Sequence, residues 1–189
     1  MFALKISGIV IFAGSIVFLI AAFSPISRVY SLPTAEKKLG VITTSPKAWV
    51  ISQALFSLGA ILVSAGVALA AYALKDHPSA PLLFTAAALL AAGAAAWTWY
   101  VTLRAADSTA FVRDSLPGWQ FTVYTLFTMG AFLLIGIALL RMGFPTWAGW
   151  LLVGSSILLF ILYVIFKDMP PFVYYLLGLA LAFVLFRGG

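Results

Sequence analysis

Trp97, Tyr100 and Arg104 follow one another at steps of three and four, and Gly93 precedes them by four. An α-helix carries all of them on one stripe. A concave, aromatic-lined pocket with a few convergent polar groups is the usual form of a small-molecule site, and in it Arg104 suits an anionic headgroup. Other polar side chains recur at helical spacing: Gln53 heads a stripe with Ser57, Ala60 and Ser64, Gln120 heads one with Tyr124 and Thr128, and Tyr163, Tyr174 and Tyr175 follow. Gln53, Trp97, Tyr100, Arg104, Gln120, Tyr124 and Tyr174 are therefore the candidate ligand-binding residues. Core packing and pocket lining are equal readings for Trp97, Tyr100 and Tyr124. Trp99 and Trp119 read as interface anchors. Arg104 has two plainer readings, a pair with Asp107 and a side chain that snorkels to the interface.

Other chemistries lack their residues. Cysteine is absent, so neither disulfides nor thiolates are available. His77 is the single histidine, and beside Asp76 it reads as part of a solvated turn, not a metal site. No phosphate loop, nucleophile elbow or zinc-protease motif occurs, and Ser155–Ser156 has no histidine or lysine near it. No ionisable residue falls in the middle of an apolar segment, which argues against a proton or ion pathway. The expectation is a protein without metal or cofactor, and non-enzymatic. The net charge of +6 is spread singly along the chain, so nucleic acid is not the expected partner.

The elements that position these residues are set by composition. Of 189 residues, 64% are hydrophobic and only 8% charged, against about 25% charged in an ordinary soluble domain. Lipid is the solvent such a chain suits. Six apolar segments, at about 4–23, 48–74, 81–103, 118–140, 146–166 and 171–186, predict an all-α, polytopic transmembrane bundle of six spans forming a single domain. The first resembles a signal peptide, but its run is long and ends without a small-residue cleavage site, so it counts as a span. Ser45 before Pro46 reads as a helix N-cap. Gly8 with Ser15, and Gly59 with Gly66, stand seven apart and read as packing positions. The run AAALLAAGAAA places the third span at the centre of the bundle.

An even number of spans puts both termini on one side. The opposite side carries seven basic residues against four here, nearly equal per loop residue, so the positive-inside rule is indecisive; the short turns with Lys75 and Arg141 favour the cytoplasm of a cell inner membrane for the termini. The opposite side bears the longer 24–47 and 104–117 loops, expected to fold into a cap. It also holds Trp49, Trp97, Trp99, Trp119 and every tyrosine except Tyr72. An aromatic belt alone would mark both interfaces equally.

PGWQFTVYTLFTMG, LLRMGFPTWAGWLLVGSS and KDMPPFVYYLLGLAL resemble stretches of uncharacterised six-helix prokaryotic integral membrane proteins of unknown function. The resemblance covers about the last third of the chain. It implies architecture and prokaryotic origin, and no site residue. The expected function is binding of a membrane lipid or other hydrophobic small molecule, in a pocket open to the side of the 24–47 and 104–117 loops. The alternative is a structural or accessory subunit that docks a protein partner or a second copy of itself.

Overall fold

The computed structural model describes residues 2–188. Among them every regular element is helical: α1 (Phe2–Ala22), a 3-10 helix (Pro25–Ser31), α2 (Ala35–Thr44), α3 (Pro46–Ala73), α4 (Ala80–Ala106), α5 (Ser108–Val112), α6 (Trp119–Arg141), α7 (Thr146–Phe166) and α8 (Phe172–Gly188). α1, α3, α4, α6 and α7 are long and apolar enough to cross a membrane, and α8 is a shorter apolar helix. At 1.5 Å per residue its 17 residues cover about 25 Å.

Prolines set the helix starts. Pro46 opens α3 and Pro81 lies in the first turn of α4, where a missing N–H breaks no helical bond. Ser45 stands at the N-cap position of α3, but its side chain makes no capping bond. Side-chain caps occur instead on the two short helices. Thr34 accepts from the Lys37 N–H at 3.4 Å, and the Asp107 carboxylate accepts from the Ala110 N–H at 2.8 Å.

α1 packs between α3 and α8; α3 packs on α4, α4 on α6, and α6 on α7. A hydrogen bond from the Tyr124 hydroxyl to that of Tyr175, 3.1 Å, ties α6 to α8 across the interior. Glycine makes the tightest crossing possible. A Cβ on Gly59 would stand 2.7 Å from the Cβ of Phe18 and 2.8 Å from the carbonyl oxygen of Gly14. Only a bare backbone permits α1 and α3 to approach so closely.

α4 is not the centre of the bundle. Of the five long apolar helices, α6 is the most enclosed and α7 the least. Small residues permit close approach on any face without choosing one. Ala88, Ala91 and Ala95 of α4 are exposed, and they line an open apolar groove with Ile61, Ala65 and Ala68 of α3. A Cβ on Gly93 would make only ordinary contact, 3.5 Å from Phe127. The outward faces of the long helices are also apolar. α7 alone exposes Trp150, Ile157, Leu158, Phe160, Ile161 and Ile165. A helix that is apolar all round needs an apolar solvent.

The 3-10 helix, α2 and α5 fold into a cap over one end of the bundle. Ile26, Val29, Ile42, Val112 and Trp49 form a small core of their own, separate from that of the bundle.

Candidate functional site: a cavity under the cap

α4 runs through Ala106, three residues beyond the expected end of the third segment. The extension places Arg104 in the last helical turn, under the cap. It is 4% exposed. The expectation that Arg104 snorkels to the interface is therefore corrected, because the 3-10 helix and α5 close over it. Its guanidinium carbon lies 4.7 Å from the ring centre of Tyr30, 4.7 Å from Phe111, 5.4 Å from Tyr100, 5.6 Å from Trp49 and 6.0 Å from Trp97. Cation–π attraction of about 0.5–2 kcal/mol per favourable pair compensates part of the lost hydration. It leaves the N–H groups unsatisfied: Nε and Nη2 have no hydrogen-bond partner.

The Arg104–Asp107 pair is likewise corrected. The Asp107 carboxylate is exposed and caps α5. Nor does Tyr30 supply the counter-charge. Its phenol is held above the ordinary value, first by loss of water and against the opposing pull of Arg104, so it stays neutral at ordinary pH. Its hydroxyl accepts from Gln53 Nε2 at 3.2 Å.

Arg104 lies on the wall of a cavity of about 600 Å³, within the roughly 300–1,000 Å³ usual for small-molecule sites. Phe18, Phe56, Trp97, Tyr100 and Phe121 form its apolar part. Tyr30, Ser27, Asp114 and Asp168 bring polar atoms, and Met169–Phe172 closes one edge. The Trp97 indole N–H is also buried without a partner. Three nitrogens carrying four N–H groups, from two lining side chains, thus lack acceptors. Leaving a buried donor unmade costs about 1–3 kcal/mol, more when it is charged.

Trp97, Tyr100 and Arg104 are thus brought together on the wall. Gln53 lies one layer behind, where its Nε2 also donates to Ser52 Oγ at 3.0 Å and its Oε1 has no partner. Tyr124 lies beneath the wall, stacked on Trp97 with ring centres 4.6 Å apart. Tyr124 and Tyr174 border an interior void of about 10 Å³, room for one water at most. Gln120 is buried, with Oε1 unpartnered, and does not line the cavity. Phe18, Tyr30, Phe56, Phe111, Phe121, Asp114 and Asp168 join the site without having been singled out from the sequence. They come from five separate helices and two turns, and no local spacing connects them.

Two other hollows carry less chemistry. The groove between α3 and α4 is larger, about 950 Å³, but the hydroxyls of Ser64, Thr98 and Thr102 and the Trp99 indole are its only polar side-chain groups, and none is charged. One of about 390 Å³ beside the 3-10 helix has the exposed Arg28 on its wall. Among the described residues, no group of three or more His, Asp or Glu side chains is placed to hold a metal ion. The His77 Nδ1 accepts from the Ser79 N–H at 3.1 Å.

No family model, no curated protein and no solved structure matches the chain.

Proposed function

We propose that this chain is a six-span protein of a cell inner membrane, with both termini in the cytoplasm, that binds an amphiphile through its phosphate or carboxylate group in the cavity under the cap. In this reading Arg104 is the counter-charge for the headgroup, Trp97 donates a further hydrogen bond, and Phe18, Phe56 and Phe121 receive the apolar part. The role is binding and not catalysis.

One observation carries the reading. Arg104 is 4% exposed, lines a 600 Å³ cavity, and keeps Nε and Nη2 without partners. An ion buried without compensation costs several kcal/mol. A guest with two acceptor oxygens removes that cost, and the planar fork of arginine fits a carboxylate or phosphate in two-point fashion.

Native mass spectrometry of the protein, extracted from its membrane in mild detergent, tests the reading. The wild type is expected to retain one amphiphile that bears a phosphate or carboxylate group, and Arg104→Met to lose it while keeping its helical content. Equal retention by both proteins, or none by either, would count against it.

A further inference from the structure

We propose that the guest is a zwitterion: its acidic group sits on Arg104 and Trp97 at the wall, and its ammonium group sits at the rim against Asp168 and Asp114. This rests on the reading of the cavity as an amphiphile site and names the headgroup class.

The observation behind it is the sorting of charge at the rim. Two turns reach the cavity, and each carries a base next to an acid: Arg113–Asp114 after α5 and Lys167–Asp168 after α7. In both, the acid lines the cavity and the base does not. Asp114 and Lys167 are the two non-glycine residues in the left-handed region among those described, with φ of 52° and 56°. At Lys167 that conformation ends α7 and brings Asp168 to the mouth. Both aspartates are exposed, whereas Arg104 is enclosed. They are therefore placed for a second charge held nearer to water than the first. A purely anionic headgroup would meet two repelling carboxylates on its way to Arg104. A headgroup carrying an ammonium group meets attraction at both ends.

The test is lipid selection by the purified full chain from vesicles holding equal amounts of phosphatidylethanolamine and phosphatidylglycerol with matched acyl chains, read by native mass spectrometry. The wild type is expected to favour the amine-bearing lipid by about fivefold, the size of one partly screened ion pair. The double variant Asp114→Asn, Asp168→Asn is expected to lose that preference. Asparagine tolerates the left-handed backbone at position 114, and an unchanged melting temperature confirms folding. Asp76→Asn, in the turn between α3 and α4, should keep it. O-Phosphoethanolamine in excess separates two sources of the same chemistry: displacement of the lipid points to a soluble phosphoamine, and no displacement to the lipid itself. Equal uptake of both lipids by the wild type, or a preference that survives the double substitution, overturns the zwitterion. If Arg104→Met then still releases both lipids, the cavity remains an anion site. If it releases neither, the underlying reading fails as well.

Discussion

Trp49 of α3 and Arg104 of α4 meet beneath the cap through two contacts at once. The indole N–H of Trp49 donates to the Arg104 carbonyl at 3.2 Å, and the guanidinium of the same arginine lies 5.6 Å from the Trp49 ring centre. That carbonyl is in the last turn of α4, where helical acceptors run out. Trp49, near the start of α3, also stacks on Phe111 of α5 at 5.3 Å. One side chain therefore links α3, α4 and α5 at the roof of the cavity.

Trp49→Phe keeps most of the ring and deletes the hydrogen bond. The expected loss is about 1 kcal/mol, or about 2–4 °C in melting temperature for a chain of this size. Limited proteolysis should then cut faster between residues 24 and 47, because the cap is held less firmly. Unchanged cleavage would show that the cap stands on its own small core.

Trp97 and Trp99 differ by face. They are 2% and 60% exposed. Two residues turn a helix by about 200°, so Trp97 packs among Phe18, Phe56 and Tyr124, while among the described residues Trp119, at 6.5 Å, is the one aromatic ring Trp99 meets. Trp97→Ala should cost about 3–5 kcal/mol and Trp99→Ala about 1 kcal/mol or less. Thermal unfolding of both variants in one detergent measures the difference, and equal losses would contradict the packing described.

Arg104→Met should leave the delipidated protein nearly as stable as the wild type, within about 1 kcal/mol. The lost cation–π contacts are offset by relief of an unpaired buried charge. Added amphiphile bearing a phosphate or carboxylate group should raise the melting temperature of the wild type and leave that of the variant unmoved. A large loss of stability without ligand would show that Arg104 is a structural element of the cap instead.

Gly59→Ala is expected to destabilise by about 1–3 kcal/mol, because the new methyl enters a crossing with no room for it. Gly154→Ala provides the contrast. Nothing lies within 4 Å of its added Cβ, and alanine favours the helix by about 1 kcal/mol. Helical content and melting temperature of the pair separate crossing geometry from helix propensity.

The helices were legible because length and apolar runs are local properties. α7 begins and ends at the residues expected, and α3, α6 and α8 begin and end within two residues of theirs. The Trp97–Tyr100–Arg104 stripe was legible for the same reason. The burial of Arg104 was not. It depends on three added residues of α4 and on a cap whose own core joins Ile26, Ile42 and Val112, far apart in the chain. The position of α4 was misjudged because an alanine run permits contact on every side. Asp114 and Asp168 carry no local signal that sets them apart from other loop charges. Their place at the cavity depends on backbone turns that carry no glycine to mark them.

The most direct measurement is a high-resolution structure of the protein in a lipid nanodisc made from its native membrane. The expected result is density in the cavity under the cap, with acceptor oxygens about 2.7–2.9 Å from Nε and Nη2 of Arg104 and an apolar portion along Phe18, Phe56 and Phe121. A cavity holding only water, or an Arg104 whose nitrogens are satisfied by a carboxylate of the chain itself, would contradict the account.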